Sequence, residues 1–416
     1  MINVKQILLN GQVTKLMTYG FGQMFNLVTP LIIIPYIVGI CGEENFGKVG
    51  VGLAVSFFLI VFVDYGADLV GVREASLNRN NHKALEQLLL TSYYARAFIF
   101  ILIVIAASVL FFMVPLFVRE QDMFFLSLSI LAGQFLSPVW FLQGVENVKW
   151  ITYGNILSKA IYLIGVYIVV KSPQDYIYVN LLWGMGMIFS NALFLVLIFK
   201  RHNFKLLRVP FPEIFNFLKR DFTMFTSQIF VALQLNLPII IISLLGGNLM
   251  AGQYKIIEQV IVVFKTYIFL FFNYVFPKIC YSAEQGLNKA IKGWMLYNGL
   301  NFIFILAGMA VLYYFSYDVV AYFNTTNRYI LSRLLQIAVL IPLLMAVSIP
   351  LKQLVLAFNH KQFYIIVTTV TVILCMLSIY ILLPVYEVYG AFYSLIATEL
   401  LIIFLYLYRL KFYNRQ

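Results

Sequence analysis

Six basic side chains fall inside apolar stretches long enough to cross a bilayer: Arg96, Lys159, Lys255, Lys265, Arg333 and Lys352. A charge at membrane depth costs about 3 kcal/mol or more unless protein, water or a partner receives it. These residues are therefore the first places to look for function. Four acids share the setting: Asp64, Asp68, Glu258 and Glu399. Asp64 and Asp68 are one helical turn apart and would share a face. Two close carboxylates raise each other's proton affinity, which suits proton coupling. The rival reading pairs them with stabilising cations. Lys255, Glu258 and Lys265 can line one stripe of a helix, a cationic rail with Glu258 as internal partner or proton site. Lys255, Arg333 and Arg96 lie near span ends and could instead snorkel to an interface, whereas Lys265 lies deeper. Lys159 sits below midspan. Glu399, an isolated acid, must be neutral, paired or hydrated.

Cations exceed acids among these deep groups and their flanks. A cleft lined that way attracts an anion and repels cationic drugs. Phosphate or pyrophosphate is the natural ligand, because Arg offers bidentate contacts and Lys acts as a point charge. The 17% aromatic content would suit stacking on sugars, although Phe and Tyr also fill lipid-facing and interfacial positions. Asn26 and Gln234, each four residues before a proline, complete the expected substrate-binding set of Lys159, Lys255, Lys265, Arg333 and Arg96. The expected proton-coupling set is Asp64, Asp68 and Glu258.

Enzymatic signatures are missing from the sequence. It has no Gly-rich P-loop, zinc spacing or nucleophile elbow. Cys41, Cys280 and Cys375 are scattered and read as small apolar filler. His82, His202 and His360 do not cluster. The expectation is therefore no catalytic residue, no metal and no cofactor.

The elements that must position these residues are helices. The chain has 416 residues, 62% hydrophobic and 11% charged, which excludes a soluble domain. Spanning helices need about 20 mostly apolar residues. About twelve such runs are predicted, near residues 16–40, 49–72, 92–118, 123–146, 150–171, 176–199, 222–245, 250–277, 294–317, 329–357, 363–384 and 387–408. A β-barrel would need period-two alternation, and runs such as residues 100–108 are solidly apolar. The first run is too long for a cleavable signal peptide and is expected to remain as a helix.

The net charge of +12 is distributed by turn. With the N-terminus inside, nineteen basic residues, Lys5 and Arg415 among them, fall in inside segments and four, Lys48, Arg119, Lys171 and Arg328, in outside turns. By the positive-inside rule both termini should be cytoplasmic, and the charge needs no nucleic acid to explain it. The longest polar stretch, Lys200–Asp221, divides the spans six and six. Ile214, Phe215, Phe217 and Leu218 within it predict an amphipathic helix on the inner surface. A similar short element, Asn81–Leu90, should lead into the third span. The expected domains are a six-helix bundle over 1–200, a basic linker over 201–221 and a second six-helix bundle over 222–416. The halves echo one another. Asn26 and Pro30 match Gln234 and Pro238, and each pair precedes a glycine turn. Pro138, Asn147 and Lys149 match Pro350, Asn359 and Lys361. An even number of spans gives two repeats of the same orientation, related by an axis along the membrane normal, with a cleft that could open alternately to either side.

The segment SPVWFLQGVENVKWITYGNILSKAIYL, with Trp140, Gln143, Gly144 and Glu146, resembles a signature of Wzx-type O-antigen and polysaccharide flippases. These belong to the superfamily of multidrug exporters and oligosaccharidyl-lipid flippases. The opening PLIIIPYIVGICGEENFGKVGVGLAV, followed by DYGADLVGVREAS, is similar to that family's first helix pair, with Gly42, Phe46, Gly47 and Arg73 in matching places. The resemblance implies an all-α, multidrug-exporter-like fold of two six-helix bundles in the bacterial inner membrane. It implies a substrate in which an oligosaccharide is linked through pyrophosphate to undecaprenol, and transfer of the headgroup from the cytoplasmic to the periplasmic leaflet. Membrane lipids, and the polymerase and chain-length proteins of the same pathway, are the implied partners. Two rivals remain: a multidrug exporter of the same fold, which predicts an acidic cleft, and a membrane glycosyltransferase or O-antigen polymerase, which predicts catalytic carboxylates in long outside loops.

Overall fold

The computed structural model describes residues 11–285, 287–358 and 360–413; Lys5, Arg415 and Asn359 lie outside the described residues. Every long element in the described chain is a helix. That is the solution the bilayer favours, because a helix satisfies its own backbone hydrogen bonds. Residues 11–41 (α1) and 43–64 (α2) form one rod, Gly11–Asp64, interrupted at Gly42. Then come α3 (His82–Met113), α4 (Gln121–Gly144, broken at 136–138), α5 (Val148–Val169) and α6 (Ile177–His202). Residues 211–246 (α7) and 248–284 (α8) form a second rod, Phe211–Glu284, interrupted at Gly247. The chain continues through α9 (Leu287–Tyr314), α10 (Arg328–Ala357), α11 (Lys361–Tyr386) and α12 (Val388–Tyr413). Among the described residues ten helices are long and apolar enough to cross a membrane. Two of these, of 41 and 55 residues, lie in the interrupted rods. The protein is an all-α polytopic membrane protein.

The two amphipathic elements run into their spans as the sequence expects, and one span ends early. The short element before the third span is the first part of α3 itself, because Asn81 caps it by accepting a hydrogen bond from the Ala84 N–H at 3.2 Å. The amphipathic stretch after Lys200 runs without a break into α7. Pro212 sits in its first turn, where a missing N–H costs nothing. Ile214 and Phe217 bury against Ala95 of α3, while Phe211 and Phe215 stay exposed, as an interfacial helix requires. Finally, α2 stops at Asp64 rather than continuing to 72. Tyr65 and Gly66 take positive φ values of 44° and 78°, and a π-helical turn, Ala67–Gly71, follows.

The chain divides into two compact units. The first holds the described residues up to Ile33 together with Lys48–Asn236; the second holds Ile34–Gly47 and the described chain from Leu237. In the first, fully buried Asn180 of α6 donates to the Val49 carbonyl of α2 at 3.2 Å and to Ser127 Oγ of α4 at 2.9 Å. Ser56 Oγ donates to the Ser127 carbonyl at 3.1 Å. These bonds lock three helices in register.

In the second unit the backbone of 34–47 is fixed by polar contacts. Glu43 is only 4% exposed. It accepts from the Thr326 N–H at 2.6 Å and from Gln253 Nε2 at 3.4 Å. Asn324 donates to the Pro35 carbonyl at 3.2 Å. Gly42 and Gly247, 205 positions apart, have nearly the same backbone, with φ/ψ of 83°/165° and 84°/173°. Such angles are readily available only to glycine. Gly47 and Gly252, at the same offset, touch. A Cβ on Gly47 would lie 1.9 Å from the Asn248 carbonyl oxygen, and one on Gly252 would lie 2.0 Å from that of Glu43. Glu43 and Asn248 are themselves counterparts at that offset. The contact is therefore reciprocal, and it supports the internal repeat. Pro30 and Pro238 are offset by 208, three residues more. That difference is close to one helical turn and keeps the helices in phase.

Either Gly47→Ala or Gly252→Ala should destabilise the folded protein, by roughly 1–3 kcal/mol or more, because the methyl must displace backbone. Thermal unfolding in detergent should show both variants melting well below wild type. Gly20→Ala, which meets no atom within 4 Å, should not.

Candidate functional site

In the first unit, Arg96 of α3 is 1% exposed and makes four hydrogen bonds. It reaches Asp64 Oδ1 at 2.9 Å, the Gln134 carbonyl at 2.6 Å, the Ser137 carbonyl at 3.2 Å and the Val63 carbonyl at 3.3 Å. The Tyr93 ring lies 5.5 Å from its guanidinium. Gln134 Nε2 donates to both oxygens of Asp64, at 3.1 and 2.9 Å. The carbonyls are free to accept because α4 breaks after Phe135 and α2 ends at Asp64, leaving last-turn oxygens without helical partners. Arg96 thus ties the ends of α2 and α4 to α3. Asp68 lies beyond the break in α2, exposed on the π-helical turn, and still interacts electrostatically with Asp64 and Arg96. Asn26 on α1 is half-buried and Gln234 on α7 is exposed.

Lys159 of α5 stands differently. Among the described residues it enters no salt bridge. Its ammonium lies 3.4 Å from the ring centroid of Trp183 on α6. Trp183 is flanked by Tyr162 at 4.9 Å and by Phe57 of α2 at 6.0 Å. A cation over an indole face is held electrostatically. Among the described residues no carboxylate pairs with it, and the rings around it form a cluster in which Tyr162 is buried. The sequence marked Lys159 only as a cation inside a span; its partnership with Trp183 and the flanking Tyr162 and Phe57 did not show there.

In the second unit, Lys255 and Glu258 of α8 form an ion pair at 2.8 Å, with 22% and 15% of their side chains exposed. One member of the expected rail is thus largely neutralised by its neighbour. Lys265, two turns further along, interacts electrostatically with Glu399 of α12, whose Oε2 accepts from Ser348 Oγ of α10 at 2.6 Å. Nearby Gln353, fully buried on α10, accepts from Asn298 Nδ2 at 3.1 Å and donates to the Phe272 carbonyl at 3.3 Å. Lys352 lies 4.5 Å from the Tyr364 ring centroid. Arg333 is exposed near the start of α10 and donates to Tyr329 Oη at 2.6 Å. Sequence reasoning missed Glu43 and Gln353. Glu43 sits in a polar glycine turn that reads as solvated, and Gln353 in a run too apolar to single out.

The described chain is thus a helical membrane bundle with a matched buried pair at broken helix ends and, among the described residues, a lysine with no carboxylate partner in an aromatic frame. Solved structures share the fold. The lipid II flippase MurJ in an inward closed conformation aligns with a TM-score of 0.73 at 12% identity, covering 95% of this chain and 87% of that one. An inward-facing multidrug resistance MATE family transporter of the MOP superfamily aligns with a TM-score of 0.67 at 13% identity, covering 92% and 94%. The chain belongs to the polysaccharide biosynthesis protein family, whose model matches residues 13–281. Two proteins named "Putative O-antigen transporter" are similar over nearly full length. The one from Escherichia coli (strain K12) is 22% identical over 392 residues, 91% of each chain. The one from Shigella dysenteriae is 22% identical over 386 residues, 91% of this chain and 94% of that one.

Arg96→Ala should cost roughly 3–5 kcal/mol, because it strands the Asp64 carboxylate and three backbone carbonyls. Arg96→Met combined with Asp64→Leu should recover a large part of that loss. Detergent melting curves of the single and double variants check both outcomes.

Proposed function

We propose that this protein flips an oligosaccharide linked through pyrophosphate to undecaprenol, from the cytoplasmic to the periplasmic leaflet of the bacterial inner membrane. The observation that carries the reading is Lys159, an ammonium without a carboxylate partner among the described residues, held against Trp183 and framed by Tyr162 and Phe57. A multidrug exporter selecting cations would place acids, not an unpaired lysine, in such a frame. Membership of a polysaccharide biosynthesis family and likeness to proteins named as O-antigen transporters support a glycan-bearing substrate. The likeness to a lipid II flippase supports a lipid-linked one.

In this reading the halves over 1–200 and 222–416 work by alternating access, with both termini in the cytoplasm. Lys159 and Lys265 attract the pyrophosphate as the sugar crosses, while the prenyl tail stays in lipid. Lys255, Arg333, Arg96, Asn26 and Gln234 are secondary candidates for contact with substrate. Arg96 and Lys255 act chiefly by positioning, since their charges are already matched. Asp64, Asp68 and Glu258 are the candidates for proton coupling. Polymerase and chain-length proteins would receive the product.

The test is complementation of a deletion strain. Lys159→Ala with Lys265→Ala should lower surface polysaccharide by roughly tenfold or more, the effect of losing charge-assisted contacts. Protein level and monodispersity should be unchanged. Normal surface polymer from the well-expressed double variant would remove the anion-binding reading.

A further inference from the structure

The second unit carries a cavity of about 880 Å³ between α9, α10 and α12, at the ends of those helices next to the turns at 315–327 and 387. Its wall is mixed in a particular way. Leu306, Met309 and Leu343 form the apolar side, deeper along the helices. Tyr313, Tyr389 and Tyr393 stand nearer the helix ends, with Gln336 and the single cation Arg333. Tyr329 Oη takes one Nη2 donor of Arg333, and the Tyr329 ring lies 5.1 Å from the guanidinium. Among the described residues Arg333 enters no salt bridge, so the rest of its planar donor fork is available.

This arrangement follows the profile of a lipid at a bilayer boundary. Tyrosine belts mark the headgroup level, and an arginine fork matches the oxygens of a phosphate. The apolar wall continues in the direction a hydrocarbon chain would take. The first unit has a cavity between the equivalent trio, α3, α4 and α6, but at the opposite ends of those helices. It is about 520 Å³, almost wholly apolar, with Tyr93, Tyr94 and the single cation Lys200 at its rim. Each half thus carries a cavity among this helix trio, lined by one basic residue and tyrosines, but at opposite helix ends.

We propose that the α9–α10–α12 cavity is a seat for an anionic phospholipid, with Arg333 on the phosphate, the tyrosines around the headgroup and an acyl chain along Leu306 and Met309. A phospholipid is favoured over the transported lipid because one guanidinium suits one phosphodiester, whereas a pyrophosphate calls for further cations. The proposal is independent of the flippase reading: a bound phospholipid here would hold whatever the protein transports.

The test is native mass spectrometry of the purified full-length protein, delipidated and then offered phosphatidylglycerol, phosphatidylcholine or a polyprenyl phosphate. Wild type should retain phosphatidylglycerol in preference to the other two. R333Q should lose that retention by roughly tenfold, as expected for a charged hydrogen bond. R119Q, which removes one positive charge elsewhere, should keep it. A melting curve equal to wild type shows that R333Q is folded; if it is not, R333K, which keeps the charge without the fork, should be folded and bind with intermediate strength. Equal retention by wild type and R333Q, equal loss in R119Q, or preference for the polyprenyl phosphate would each overturn the proposal.

Discussion

The backbone crossing at Gly47 and Gly252 is the constraint around which the second unit is arranged. The helices that begin after Gly42 and Gly247 approach so closely that each presents a carbonyl oxygen where the other would carry a side chain. Small residues permit such approach in membranes, where packing rather than water expulsion drives association. Because the two glycines occupy equivalent positions in the two halves, the contact is also the repeat's own two-fold signature. The carboxylate of Glu43, the counterpart of Asn248, then closes on the Thr326 backbone and on Gln253, fixing the 34–47 segment within its unit. That segment is joined at both ends to chain belonging to the other unit.

Charge inside the membrane is the second organising problem, and the chain handles it in two ways. Arg96 and Asp64 are matched, and three backbone carbonyls and a glutamine side chain complete the network. Lys255 and Glu258 are matched within one helix. Such pairs stabilise only when the geometry is complete, and the value of the Arg96–Asp64 pair is positional: it holds the broken ends of α2 and α4 in place. Lys159 is treated otherwise, receiving an aromatic face in place of a carboxylate. A ring stabilises a cation without cancelling its charge. This difference separates a structural cation from one able to attract a phosphate, and it makes the anionic-substrate reading specific to a residue.

Much of the fold was legible in the sequence because hydropathy and charge asymmetry are written along the chain. Each apolar run overlaps a helix, although α2 ends before its run does and α3, α7, α8 and α9 extend well past theirs into polar sequence, and the paired glycine turns after Pro30 and Pro238 gave notice of the repeat. The break in α2 was less legible. Asp64-Tyr65-Gly66 lies in an apolar run, and only the positive φ values of Tyr65 and Gly66 reveal that Asp64 ends the helix and Asp68 lies beyond the break. Partnerships were the least legible part of the candidate site. Asp64 meets Gln134 across 70 positions, and Glu43 meets Thr326 across 283. Nothing in local composition separates a buried carboxylate from a solvated one. Residue types announced that charge had to be managed, but tertiary packing decided which charges were paired.

The most direct measurement is the distribution of lipid-linked oligosaccharide between the two leaflets after deletion of the gene from its native bacterium. The account predicts that complete units accumulate on the cytoplasmic face and that surface polymer disappears. Units that reach the periplasmic face and remain unpolymerised would contradict it.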